Sequence, residues 1–326
     1  MWDEVVGHEQ NKEFLKSLLV GERFTPSLLF YGPAGIGKRM LAKAFAKSFL
    51  CLGNPLEQDE CTSCKAMMAG THPDFIQVMQ LAPEKELLME QIKAMARQAV
   101  YAPTMSKHKV CIIDGADYMK APAANSLLKL LEEPPPYWLF ILIATDINKL
   151  LPTILSRVIQ RQFKGLTVPE VSKILEANQI ANPKIVASLA DGSPGKALAY
   201  AEAEAVEWRQ RAFHVLENIG TDSIMEFLGE QDWLEKLTTQ EGLLLMEMVT
   251  LLLRDGLMAK DSVRCAYYNE DILLKIKACF TSWPSTHLER ALVWAGESTR
   301  GIAAYSGARG VIEGFVVKLN ILRREK

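Results

Sequence analysis

The residues of this sequence with the most chemistry to offer lie in its first half. Gly32-Pro33-Ala34-Gly35-Ile36-Gly37-Lys38 is a glycine-rich run closed by a lysine. It follows a short apolar stretch and opens a helical pattern, which is the setting of a phosphate-binding P-loop. Glycines at this spacing let successive amides turn toward phosphate oxygens, and the lysine adds a point charge. Gly32, Gly35, Gly37 and Lys38 are therefore candidate nucleotide-binding residues. The next residue is Arg39, where the motif calls for a Ser or Thr hydroxyl to ligate Mg²⁺. A guanidinium has five donors and no lone pair, so metal coordination is damaged there.

A second acidic element shows a matching loss. Lys109-Val110-Cys111-Ile112-Ile113-Asp114 is an apolar run ending in a carboxylate, as a Walker B strand does, and Asp114 joins the candidate site. In ATPases of this layout a second acid follows directly and polarises the attacking water. Here that position is Gly115. Asp117 is three residues on and faces another way if a helix starts there. The loop is expected to hold ATP or ADP without efficient hydrolysis.

Elements that could position these residues are legible in the apolar patterning. Short runs rich in Val, Ile, Leu and Phe at 28–31, 75–79, 110–114, 139–144 and, less sharply, 158–163 read as strands. Helical patterns lie between them at 9–19, 39–49, 86–100 and 123–132. Pro134-Pro135-Pro136 stops the last of these, since proline has no amide hydrogen and its ring crowds the preceding turn. Continuous apolar strands alternating with helices predict an α/β P-loop domain with a mostly parallel sheet covered on both faces. Beyond Phe163 a short helix opens at Val168-Pro169-Glu170-Val171. Further helices follow at 182–189 and 196–205, around the turn cluster Asp191-Gly192-Ser193-Pro194-Gly195. From about 206 to the end only helical periods occur, for example 242–253, 272–280, 287–303 and 307–322. The expected organisation is an α/β domain at 1–164, a small helical lid at 165–205 and a helical domain at 206–326.

Composition narrows the function classes. The chain has 326 residues, 49% hydrophobic and 23% charged, with 37 basic against 39 acidic side chains. That is an ordinary globular composition, and no segment is basic enough to wrap nucleic acid by bulk charge. The longest apolar run, around 137–144, is far short of the ~20 residues that span a bilayer. Met1-Trp2-Asp3-Glu4 carries acids where a secretion signal carries Lys or Arg, so a cytoplasmic location without membrane partners is expected. Six cysteines in a chain of this length do not make a disulfide scaffold. Cys111, Cys265 and Cys279 lie in apolar patterns and read as small buried hydrophobes.

Several segments occur in an order that carries a resemblance. They are Val6-Gly7-His8-Glu9-Gln10, the P-loop, Gly70-Thr71-His72-Pro73-Asp74, Ile112-Ile113-Asp114-Gly115-Ala116-Asp117, Asn125-Ser126-Leu127-Leu128-Lys129 with Leu131-Glu132-Glu133-Pro134-Pro135, and Leu155-Ser156-Arg157. Together they resemble the AAA+ subunits of bacterial DNA polymerase III clamp loaders, the delta-prime kind more than the tau/gamma ATPase kind. The likeness is strong over roughly the first 200 residues and one of size and class beyond them. It implies a ring of subunits, among them tau/gamma and delta, that places a sliding clamp on primer-template DNA. The C-terminal helices would form its collar. The lost hydrolytic residues fit the delta-prime kind, as does a chain without a long tail after Lys326. An active tau/gamma-type ATPase and an AAA+ adaptor in recombination are the competing readings.

The resemblance also assigns roles. Arg157 is implied as an arginine finger reaching a neighbour's ATP, although Val158 stands where the family has Cys; the plain alternative is a surface ion pair. Thr145 occupies the sensor-1 position, where its hydroxyl would meet phosphate or water, or else would only start a turn with Asp146. A sensor-2 arginine is missing near Lys196. The group often carries a four-Cys zinc module where this chain has Cys51, Cys61 and Cys64. The missing thiol falls near Gln58, and Asp59, Glu60 or His72 are alternatives for the fourth ligand. Three thiols without zinc is the other outcome.

Overall fold

The computed structural model describes residues 2–21, 26–57, 60–80, 86–221, 223–261, 266–304 and 307–324. The chain divides into two compact units, Met1–Glu170 with Gly192–Gly195, and Val171–Asp191 with Lys196–Lys326.

The first unit is built on five strands, β1 (Ser27–Tyr31), β2 (Phe75–Val78), β3 (Lys109–Asp114), β4 (Trp138–Ala144) and β5 (Ile159–Gln162). They pair in the order β2-β3-β4-β1-β5, and every pairing is parallel. All five match the apolar runs read from the sequence. β4 is buried at every position, which is why its run Trp-Leu-Phe-Ile-Leu-Ile-Ala does not alternate. β5 lies at the sheet edge with three of four residues exposed, and its polar Ile-Gln-Arg-Gln sequence gives the weakest signal.

Successive strand residues face opposite sides of the sheet, so each face has its own core. Leu29, Cys111, Ile113, Phe140 and Leu142 pack with Ile92 and Met95 of one helix and Leu127 and Leu131 of another. Leu28, Phe30, Val110, Ile112, Ile141 and Ile143 pack on the other side with Leu15, Leu41 and Phe45. The covering helices are α1 (Glu9–Val20), α2 (Lys38–Phe49), α3 (Thr62–Met68), α4 (Met89–Gln98), α5 (Ala121–Glu132) and α6 (Pro152–Leu155). α5 starts two residues before the sequence expectation because Pro122 sits in its first turn, where no amide is needed. α4 is shorter at both ends than its periodic run; Gln91 accepts from the Leu88 amide and fixes its start.

The second unit is wholly helical among the described residues. It contains most of α7 (Val168–Ala177), then α8 (Pro183–Leu189), α9 (Pro194–Glu202) from Lys196 on, α10 (Ala205–Asn218), α11 (Ile224–Gly229), α12 (Asp232–Glu235), α13 (Thr239–Lys260), α14 (Leu273–Phe280), α15 (Ser285–Ala304) and α16 (Ala308–Arg324). The long α13 begins at a capping box in which Thr238 and Glu241 exchange side-chain and backbone bonds. Its Asp255 is fully buried and accepts from the backbone and side chain of Asn269 at 2.7 and 2.9 Å. Cys111 is buried and Cys279 half-buried, while Cys265 lies outside the described residues. None of the described helices is long and apolar enough to cross a membrane.

Gly-Thr-His-Pro-Asp proves to be a structural knot. The Asp74 carboxylate is fully buried and accepts from the amides of Thr104, Met105 and Ser106 at 2.7, 2.7 and 2.8 Å. His72 Nδ1 accepts from the Asp74 amide, so the ring proton sits on Nε2 and faces Ser63 Oγ at 2.9 Å. Ser63 and Ser106 both donate to the Leu50 carbonyl at the end of α2. Burial pushes the Asp74 carboxyl up, but the three amides outweigh it and hold it below its ordinary value. The resulting stability is complete above the ordinary carboxylate range and is lost as pH falls through the lowered folded value. Asp74→Ala leaves three amides without their acceptor and is expected to cost about 3 kcal/mol in urea unfolding at neutral pH. The variant should also flatten the acid limb of the stability–pH curve; an unchanged limb would contradict this account.

Candidate functional site

The P-loop leaves the carboxyl end of β1 and enters α2, with β4 on one side of β1 and β5 on the other. Gly32, Gly35 and Gly37 have φ of 142°, 72° and 100°, values open to glycine and rarely to other residues. At Gly32 there is also no room for a side chain, since a Cβ would run into the Phe163 carbonyl. The Gly192–Gly195 turn closes over the loop: Ser193 Oγ donates to the Ala34 carbonyl and the Gly195 amide to that of Gly35, both at 2.9 Å. This clasp joins segments some 160 residues apart in the chain, and no local pattern announces it.

Lys38 is buried and turns back on the loop, donating to the Gly32 and Pro33 carbonyls at 2.6 Å each. Burial lowers its pKa to about 8, against the pull of Asp114 and Asp117. Arg39 reaches the end of β3, where its NH1 lies 3.4 Å from Asp114 Oδ2. The residue replacing the metal-binding hydroxyl thus pairs with the carboxylate that would share the metal.

Gly115 has φ 81°, and a Cβ built there would sit 2.8 Å from Gln80 Oε1. Asp117 stands in a single turn of 3₁₀ helix, and its Oδ2 accepts from the Thr145 amide at 3.0 Å, the Thr145 hydroxyl at 2.5 Å and the Asp146 amide at 3.0 Å. Thr145 therefore has its hydroxyl proton committed to Asp117, and only its lone pairs remain for a ligand. Asp117 thus fixes the end of β4, a role that no motif announces.

Arg157 belongs to a different cluster. Its NH2 meets Glu132 Oε1 at 2.7 Å, and its NH1 donates to the Thr153 carbonyl and Ser156 Oγ at 2.8 and 3.1 Å. The side chain remains 33% exposed. Lys196 is tied to Glu247 of α13 at 2.7 Å.

Cys51 follows α2, Cys61 caps α3 and Cys64 lies in its first turn. Their sulfurs all fall within 4.8 Å of one another, with Cys51 and Cys61 at 3.9 Å. Burial raises the Cys61 thiol, but hydrogen bonds from the Leu52 and Cys64 amides and the neighbouring thiols bring it down to about 7. The three thiols could hold a metal from one side. His72 is not placed to join them, because both its ring nitrogens are engaged with Ser63, Ser106 and the Asp74 amide. Glu60 is exposed and near Lys65, and Gln58 and Asp59 lie outside the described residues.

Comparison with known proteins bears on this arrangement. Residues 7–167 match the family described as DNA polymerase III, delta subunit. DNA polymerase III subunit tau of Bacillus subtilis is 34% identical over 207 residues, 60% of this chain and 36% of that protein. DNA polymerase III subunit delta' of Pseudomonas aeruginosa is 40% identical over 136 residues, 41% of each. The chain thus spans about two fifths of these relatives. Among solved structures, a DNA polymerase III gamma subunit-related protein of Thermotoga maritima superposes with a TM-score of 0.52 at 16% identity, over 97% of this chain and 99% of that one. At that identity the likeness is one of fold.

Gly115→Glu, which restores an acid after Asp114, is expected to destabilise the chain by about 1–2 kcal/mol, the cost of a side chain in left-handed backbone. It should bring no ATP turnover. Thermal unfolding and a turnover assay check this, and gain of hydrolysis without loss of stability would refute it.

Proposed function

Taking residues 7–167 as an AAA+ module of the DNA polymerase III clamp-loader group, we propose that the chain is its non-hydrolysing, delta-prime-type subunit. It scaffolds the ring that loads the sliding clamp on primer-template DNA, and it offers Arg157 to ATP bound by a neighbouring tau/gamma subunit. The observation that carries this reading is a contrast within one module. Gly115 lies in left-handed backbone at φ 81°, where an acidic side chain in the place of the hydrolytic base would be strained. Arg157, by contrast, is held by three partners and still reaches solvent. A guanidinium presented across an interface neutralises charge on the transferring phosphoryl group, which is worth about 10³–10⁵ in rate.

The remaining parts take roles accordingly. Residues 165–205 act as the lid, and the helices of 206–326 hold the chain to tau/gamma and delta partners, in the cytoplasm. Cys51, Cys61 and Cys64 hold a structural Zn²⁺. Three sulfurs with separations of at most 4.8 Å suit three corners of a tetrahedral site. The ion's contribution is to pin α3 against the end of α2; no chemical step involves it.

Arg157→Ala is expected to leave assembly intact and to lower DNA-stimulated ATPase of the reconstituted complex by about tenfold or more. Unchanged turnover would remove the finger role. Steady-state ATPase by the purified chain alone that vanishes in Lys38→Ala would favour the tau/gamma-type reading instead. For the cysteines, elemental analysis of protein prepared without chelator should find about one zinc per chain, with Cys61→Ser losing both the metal and thermal stability. Metal-free wild-type protein of unchanged stability would refute the site.

A further inference from the structure

The site does not fit Mg²⁺. That ion requires oxygen ligands in near-octahedral array, and in a P-loop protein two come from the residue after the lysine and the carboxylate of the Walker B strand. Here the first is Arg39, which has no lone pair, and the second, Asp114, is paired with the Arg39 guanidinium at 3.4 Å. A divalent cation at Asp114 would sit against a permanent positive charge.

The anion side of the site is intact. Among the described residues no group accepts a hydrogen bond from the amides of residues 34–39, six consecutive donors at the mouth of the loop. Lys38 is bound only to carbonyls of the loop itself, which a phosphate oxygen can displace. Arg39 uses NH1 on Asp114, leaving Nε and NH2 as donors, and its side chain is 54% exposed.

We infer that this loop binds a nucleoside polyphosphate without a divalent cation, with Arg39 standing as the built-in counterion where other P-loops recruit Mg²⁺. The inference rests on the reading of Gly32 to Lys38 as a nucleotide loop. Arg39 bridges Asp114 and the phosphate chain through separate nitrogens, a geometry open to a planar guanidinium and closed to lysine. Without a metal or a base the nucleotide stays whole, and the loop serves as a fixed binding position.

The test uses the full-length chain, with fluorescent ADP and ATP analogues titrated in excess EDTA and in Mg²⁺. Affinity should agree between the two conditions within about twofold. Lys38→Ala should abolish binding. Arg39→Thr, which puts a hydroxyl back, should weaken binding in EDTA by about tenfold or more and make it depend on Mg²⁺. Wild-type binding that requires Mg²⁺ would overturn the inference while leaving the loop as a nucleotide site. Arg39→Thr binding as wild type in EDTA would also overturn it. No binding under any condition would sink both this inference and the reading of the loop.

Discussion

A carboxylate where a buried parallel strand meets the surface needs a partner: a metal ion, water or a cationic side chain. In this module that carboxylate is Asp114, and its partner is the guanidinium of Arg39, one residue into α2. The neighbourhood follows from that choice. Lys38 folds onto loop carbonyls, and burial lowers its pKa to about 8. Asp117 spends one oxygen on three donors at the end of β4. Side chains at the mouth of the loop pair with one another or with loop carbonyls, while the amides of residues 34–39 have no acceptor among the described residues.

Several polar residues in the segments that carry the resemblance are architectural. His72 and Asp74 tie the loop at 104–106 to the end of α2, and Glu132 anchors Arg157. A Ser, a His and an Asp within hydrogen-bonding reach invite comparison with a nucleophile triad, but His72 takes its second bond from the Asp74 amide, not its carboxylate. The ring is oriented to hold Ser63, whose own proton goes to the Leu50 carbonyl. That arrangement stabilises a chain turn and activates nothing.

The sheet was legible because its physics is local. Residues 110–113 and 139–144 are apolar without interruption, as strands covered on both faces must be. Helix ends were less so: α4 and α5 begin where Gln91 and Pro122 place them, features a periodic pattern does not weigh. The P-loop and Asp114 could be found from spacing and the cysteine trio from the resemblance, and the structure brings each set together. The clasp of Ser193 and Gly195 on the loop, the Glu132 anchor and the Gln80 contact at Gly115 could not be found that way. Each joins residues tens to more than a hundred positions apart, and the partner's identity carries no motif.

The backbone at Gly115 sets a threshold on equipping this loop with an acid. At φ 81° any side chain there is strained, and one built on the present backbone would first have to displace the end of the Gln80 side chain. A hydroxyl at 39 would in turn have to replace the guanidinium that pairs with Asp114. Neither change alone supplies both a base and a metal ligand, so no single substitution converts the site.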